Sequence, residues 1–334
     1  MSARIHPTAV VDPTAELAAG VVVGPHAVIG AEVVIGEGTE IGAGAQIEGP
    51  TRIGRENRIS GHAAIGFAPQ DLKHRGERVT LEIGDRNQFR EFCTVHRGTA
   101  PGGGVTRIGS DCLFMVYSHV AHDCVVGDRV IFANCGTLAG HVEVGDDAVV
   151  GAFSAVHQHN RIGRHAYVGG YTRLTTDALP FAKTVGMRPA FYGLNRIGLR
   201  RKGFPAATIA ALDAAFRVYL RSHLRSAEAL EILEREHAGE PEVRYLIDWI
   251  RASRRGVCRV LPGRSGRDEE AAGIQSTEKC HVFSKGRMRE YRVAIGERGP
   301  RRVNQREPSI AHAPTSSTSS RNRLSTPGQP LPYS

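Results

Sequence analysis

The sequence predicts a mainly β protein: a parallel β-helix of hexapeptide repeats followed by a small α-helical carboxy-terminal domain. Three observations carry this. From Ile108 every sixth residue is apolar, through Phe114, Val120, Val126, Phe132, Leu138, Val144, Val150, Val156, Ile162 and Val168 to Leu174. A small or polar residue usually follows, as in Val126-Gly127, Val150-Gly151 and Val168-Gly169, and after Pro205 the spacing turns helical. A period of six matches neither the 3.6 of a helix nor the 2 of a flat strand. It fits one short strand and one turn per hexad, with the apolar residue pointing inward. Three hexads close a triangular coil of about 18 residues, and coils stack at roughly the 4.8 Å of paired strands.

The register starts at Ile5 and runs through Val11, Leu17, Val23, Ile29, Ile35, Ile41, Ile47, Ile53, Ile59 and Ile65. It breaks after Gly66, resumes at Ile83, Phe89 and Val95, and breaks again from Arg97 to Thr106, a stretch whose Pro101-Gly102-Gly103-Gly104 reads as flexible. The β-helix is thus expected over residues 1–190, with external loops near 67–79 and 97–106. Loops on a rigid scaffold are where binding groups tend to sit. A helical domain is expected over 191–256. Ile209, Leu212, Phe216, Tyr219 and Leu220 form one apolar stripe; Leu230, Ile232 and Leu233 part of a second; Val243, Leu246, Ile247 and Ile250 a third. Ser226 with Glu228 and Glu231 reads as a helix cap, and Pro241 as the start of the last helix. Residues 257–334, rich in Ser, Thr, Pro and Arg, read as a basic, disordered tail.

Of the net charge of +9, the tail from Pro262 holds 13 Lys and Arg against 7 Asp and Glu, so the body is mildly basic and no nucleic-acid role is demanded. The six cysteines form no CxxC pair and read as reduced, mostly buried thiols. No apolar run is long enough to span a bilayer, and Met1 to Ile5 holds no signal-peptide core. A soluble, cytoplasmic protein without stable membrane insertion is expected. Outward apolar residues on the flat faces, such as Phe132 and Tyr117, predict three copies packed in parallel, a homotrimer.

Stacking also predicts which side chains meet. His122 projects onto positions 140 and 158; His141 and His157 each lie one residue from that line, and His119 one short strand before His122. Four imidazoles are therefore expected along one edge. Asp123 follows His122, and a carboxylate that fixes the tautomer of an imidazole, whose reference pKa is about 6.5, makes a general base. Zinc is the rival use of clustered histidines, as in carbonic anhydrases built on a helix of this kind. The placement of His119 and His122 across a coil corner counts against it, and no metal or cofactor is expected.

The motifs Ile-Gly-Phe-Ala-Pro-Gln-Asp-Leu-Lys (65–73), Ile-Gly-Asp-Arg-Asn (83–87), Val-His-Arg-Gly-Thr (95–99), Ala-His-Asp-Cys (121–124), Thr-Leu-Ala-Gly-His (137–141), Ala-Val-His-Gln (155–158) and Gly-Leu-Arg-Arg-Lys-Gly-Phe (198–204) stand in this order. Residues 1 to about 256 thereby resemble the UDP-N-acetylglucosamine O-acyltransferases that open lipid A biosynthesis. The resemblance implies a left-handed β-helix and transfer of a (3-hydroxy)acyl chain from acyl carrier protein to the 3-hydroxyl of UDP-N-acetylglucosamine. It implies His122 as base, Asp123 as its orienting group and the Gly140 N–H as oxyanion donor. It puts Gln70, Asp71 and Lys73 at the sugar and acyl region, and His119, His141, His157 and Gln158 along the cleft. Asn195 and Arg201 would reach the nucleotide and its phosphates, and Gly170 would end the acyl groove. Arg200, Arg201, Lys202, Arg221, Arg225, Arg254 and Arg255 would offer a basic surface to acidic acyl carrier protein. The related N-acyltransferase, acting on a 3-amino sugar, carries a further domain ahead of its repeats; here the repeat starts at Ile5, which disfavours it. Two features depart from the family pattern: His159-Asn160, where relatives usually have an aromatic residue and Cys, and the stretch from Pro262 to Ser334.

Overall fold

The structure, a computed structural model, describes residues 2–221, 224–237 and 239–259 and the strand pair Thr277–Ser284 and Arg287–Ala294. Short strands of two to five residues stack into three sheets of eleven, nine and eight strands, parallel except for one hairpin at the end of the largest. Arg4 pairs with Val22 and Val22 with Glu40, one coil being 18 residues. Across the two breaks the offset grows to 30 and 25 residues, and the register then recovers.

Inward residues behave as their period demands. All twelve from Ile108 to Leu174 are at most 4% exposed, and burying each Val, Leu, Ile or Phe stabilises by about 1.5–3 kcal/mol. Phe89, Phe114 and Phe132 stack inside the helix with centroids 4.6 and 4.9 Å apart. Phe132 is therefore not an outward residue of a trimer face. Its place in the six-residue phase points it inward, whereas Tyr117, out of phase, is 58% exposed. In the first coil Ile5 is 48% exposed and Val11 and Leu17 are half-buried, because that coil is covered on one side only.

At each corner the chain turns through one residue of positive φ: Asp111, Tyr117, Asp123, Arg129, Cys135, His141, Asp147, Phe153, His159, His165 and Tyr171 in six-residue steps. This conformation costs about 1–2 kcal/mol for a residue with a Cβ, and contacts between successive coils offset it. One corner is ionic, with Arg86 on Asp111 at 2.8 Å and Arg129 on Asp147 at 3.1 Å. A second is aromatic, with Phe92 on Tyr117 and Phe153 on Tyr171, centroids 5.1 and 5.2 Å apart. The third, where the nine- and eight-stranded sheets meet, carries Asp123, His141 and His159. Both breaks in register leave the helix at this third corner, between Ala64–Phe67 and Thr80–Ile83 and between Thr94–His96 and Val105–Ile108. The second break is not the loose loop its glycines suggest. Ala100–Gly102 form a 3₁₀ turn capped by Thr99, and Thr99 and Thr106 are 2% and 0% exposed.

The sheet continues through the hairpin Ala182–Val185 and Ala190–Leu194, past the expected boundary at 190. Among the described residues four α-helices follow where the sequence shows three apolar stripes: α1 (Arg196–Arg201), too short to show a period, α2 (Ala206–Phe216), which runs on into a π-helical turn over Arg217–Arg221, α3 (Ser226–His237) and α4 (Pro241–Arg251). The stripes close a second core around Leu212, Phe216, Leu233 and Leu246, while Leu220 and Ile232 are half-buried. Pro241 opens α4 as expected. Ser226 is not the cap of α3: the Glu228 carboxylate accepts the Arg225 N–H at 3.1 Å, and the Ser226 hydroxyl accepts from Arg259. Cys258 is buried and its N–H donates to Asp177 O at 2.9 Å, so packed chain extends past 257. The expected disordered tail otherwise lies outside the described residues. Within the separate unit 265–334, the two described strands pair antiparallel, Thr277 opposite Ala294. Cys93, Cys112, Cys124 and Cys258 are buried free thiols, and burial pushes Cys112 and Cys124 up to about 12, which leaves them unreactive.

Candidate active site

The site is built on the third corner. His122 takes the first turn position and Asp123, with φ 59°, the second. His122 Nδ1 lies 2.8 Å from Asp123 Oδ2, and the Asp123 side chain is 1% exposed against 14% for His122. The second break supplies what a buried carboxylate needs. The Thr99 N–H donates to Oδ1 at 2.8 Å, the Thr99 hydroxyl donates to Oδ2 at 2.6 Å, and the Asp123 N–H donates to Thr106 Oγ1 at 2.8 Å. Gly102 closes over this carboxylate, and a Cβ there would overlap it. With Nδ1–H given to Asp123, the imidazole keeps its Nε2 lone pair.

The His122 ring lies over Gly140, where any Cβ would collide with it. Among the described residues the Gly140 N–H has no acceptor. His141 meets His122 edge-on at 5.2 Å, and its Nε2 is 3.6 Å from Asp123 Oδ2. His119 lies in the strand before the corner, its Nδ1 2.7 Å from Thr94 Oγ1. Burial lowers the pKa of both His119 and His141. The first break folds toward the same place. Asp71 holds the Lys73 N–H at 2.9 Å, and its carboxyl is lowered by that bond first and, after burial acting the other way, by the nearby His122 and His141. Gln70 and Lys73 are exposed on this loop.

His157 does not join the imidazole column. It follows the strand Ala155–Val156 ahead of the corner, exposed, with Nδ1 3.1 Å from Gln158 O and 3.4 Å from the Arg255 guanidinium. The column is completed by His159, stacked on His141 with centroids 4.4 Å apart. An 18-residue step taken from His141 rather than from His122 finds it. Sequence reasoning also missed Thr99 and His96. His96 stands inside the 95–99 motif, edge-on to His119 at 5.2 Å, with Nδ1 buried and, among the described residues, without a hydrogen-bond partner; burial pushes it down to about 4.

Three expected residues lie elsewhere in the chain. Gly170 sits beside Tyr171 at the aromatic corner. Asn195 caps α1, its Oδ1 accepting the Gly198 N–H at 3.3 Å and its Nδ2 donating to His165 O at 3.0 Å, so within the chain its amide is already engaged. Arg201 is exposed on α1, next to Lys202, which pairs with Asp147 of the ionic corner at 2.6 Å. Ligand atoms of His122, Asp123 and His141 all lie within 4.8 Å of one another. The donor set nonetheless suits a proton rather than a cation, since three hydrogen bonds already converge on the carboxylate.

Residues 106–140 match the family model described as bacterial transferase hexapeptide (six repeats), so fold and site together define a transferase of the hexapeptide-repeat class. Residues 177–258 match the model for domain 2 of UDP-N-acetylglucosamine O-acyltransferase. The acyl-[acyl-carrier-protein]–UDP-N-acetylglucosamine O-acyltransferase of Thiobacillus denitrificans is 50% identical over 257 residues, 77% of this chain and 100% of that protein. Among solved structures, the UDP-N-acetylglucosamine acyltransferase of Francisella novicida superposes with a TM-score of 0.76 at 35% identity, over 81% of this chain and 99% of that one. The Moraxella catarrhalis O-acyltransferase gives 0.75 at 43%, over 78% and 100%. The chain belongs to the UDP-N-acetylglucosamine O-acyltransferase family, and its helix is the left-handed parallel β-helix of that family.

Proposed function

We propose that the chain transfers a (3-hydroxy)acyl group from the thioester of acyl carrier protein to the 3-hydroxyl of UDP-N-acetylglucosamine, the opening step of lipid A biosynthesis. The observation that carries this reading is the buried Asp123 holding His122 beside the Gly140 N–H, which has no acceptor among the described residues. Asp123 fixes the Nδ1–H tautomer, and His122 Nε2 takes the hydroxyl proton as the sugar oxygen attacks the thioester carbonyl. The Gly140 N–H receives the oxyanion. When the intermediate collapses the C–S bond breaks, and the imidazolium returns its proton to the departing thiolate. A base of this kind contributes about 10²–10⁴ in rate, and one oxyanion donor about 10²–10³. A thioester is already activated, so the step needs no nucleophilic side chain.

On this reading Asp71 and Lys73, with Gln70, border the sugar and acyl region, and His119, His141, His157 and Gln158 line the cleft. Asn195, Arg201 and Gly170 occupy other corners of the chain, and a second copy placed against the imidazole corner would bring them to it. That need favours a parallel homotrimer. So does the aromatic corner, whose Phe92, Tyr117, Phe153 and Tyr171 are 44–67% exposed, an apolar ridge of the kind that marks an interface. Of the basic residues at the helical end, Lys202 and Arg225 are paired with Asp147 and Glu228 and Arg255 lies against His157, and the exposed Arg200, Arg201 and Arg254 are left to face an acidic carrier protein. No helix among the described residues is long and apolar enough to cross a membrane, and the proposed substrates are those of a cytoplasmic enzyme. His122→Ala should lower acyl transfer to UDP-N-acetylglucosamine by about 10²–10⁴ with the oligomer intact by light scattering. Near wild-type turnover in that variant would refute the assignment.

A further inference from the structure

The imidazole corner holds one ring more than the proposed reaction uses. His159 and His141 occupy the same turn position in successive coils, with φ of 62° and 61°. Their rings lie face to face, 4.4 Å between centroids and 15° between planes. His141 in turn meets His122 edge-on at 88° and stands 3.6 Å from the carboxylate that holds His122. The middle ring therefore touches both the base and the outer ring. The outer ring is exposed, whereas His141 is half-buried.

Two cationic rings stacked this closely repel each other, so a charge on one disfavours a charge on the other. The groups around His141 tip the balance against its charged form. Burial disfavours its charged form most, His159 on the next coil and His122 on the previous one add to that, and Asp123 and the loop residue Asp71 oppose it.

We propose that His159 is a positioning residue for acyl transfer: stacked on His141, it fixes the plane of that ring and opposes a charge on it, keeping His141 neutral beside the base. The mechanism rests on the proposed role of His122. The discriminating variants are His159→Phe, which keeps a stacking ring that cannot be charged, and His159→Ala, which keeps neither property. The His141 ring is titrated by NMR of ¹³C-histidine-labelled full chain without substrate, and kcat and KM are followed against pH. In His159→Phe the titration midpoint of His141 and the acid limb of kcat/KM should both rise by about half a pH unit to one unit. At pH 8, His159→Ala should lose about three- to ten-fold in kcat at unchanged KM for UDP-N-acetylglucosamine, and Phe should restore it. An unmoved His141 midpoint in His159→Phe overturns the proposal, as does a rise in KM at constant kcat, which would make His159 a substrate contact. The NMR titration needs no turnover. A wild-type chain inactive on these substrates but showing the shift would therefore count against the reaction and not against the coupling.

Discussion

At the ionic corner Arg86, Asp111, Arg129 and Asp147 alternate along the coils, and at the imidazole corner Asp123, His141 and His159 fill the same turn positions. The backbone is the same, yet only one corner carries the proposed base. Arg86 and Asp111 are 48% and 40% exposed, and exposed pairs of this kind contribute about 0–1 kcal/mol. A guanidinium also never gives up its proton. At the other corner the partner is an imidazole, and the break at 97–106 closes over the carboxylate and supplies Thr99. What separates the corners is the company each acid keeps: Asp147 also has an imidazole, His165 at 3.9 Å, but is taken up by Arg129 and Lys202, whereas Asp123 is held by the Thr99 loop and lies 2.8 Å from His122.

The comparison breaks most decisively at Thr99. Thr99→Val removes the hydroxyl on Asp123 Oδ2; such a bond to a charged group contributes about 1.5–3 kcal/mol, so kcat should fall about ten-fold or more. Unchanged kcat in steady-state assays would mean that the loop does not carry the difference. Next in size is an effect of pH on stability. The unfolded chain takes a proton at His96 near the ordinary imidazole value of about 6.5, the folded chain only at about 4. Between these values the unfolded state binds more protons, so stability falls as pH falls through that window. In His96→Gln the fall of the thermal midpoint from pH 6.5 to 4 should be shallower, and an unaltered slope would remove the dry interior behind the imidazole corner from the account. Smallest is Arg129→Ala at the ionic corner, expected to cost about 1 kcal/mol or less in denaturant unfolding and to leave acyl transfer as it was. A large loss of activity there would erase the distinction between the corners.

Much of this was legible before the structure. Every inward position from Ile108 to Leu174 is buried as its period demands, because one apolar residue per hexad is all the prism interior admits. The meeting of His122 with position 140 and His141 was legible for the same reason, since a repeat of fixed length turns sequence spacing into distance; Asp123 followed from its adjacency to His122, and the role of Gly140 from the family resemblance. His157 stands in the column in place of His159 because the projection of His122 falls on 158, from which His157 and His159 are each one residue away. Phe132 was read both inward and outward, and only its phase decides. Thr99 could not be projected at all: it sits in a stretch that has left the register.

The amino-acid sequence alone determined the period, hence the coil, the inward residues and the edge where imidazoles gather, because a solenoid converts each step along the chain into a fixed rotation and rise. Tertiary structure decided what irregular segments do, since their positions follow from packing and not from repetition. That is how a glycine-rich excursion became the seat of a buried carboxylate, how Asn195 became the cap of a helix, and how His159 came to lie flat on His141.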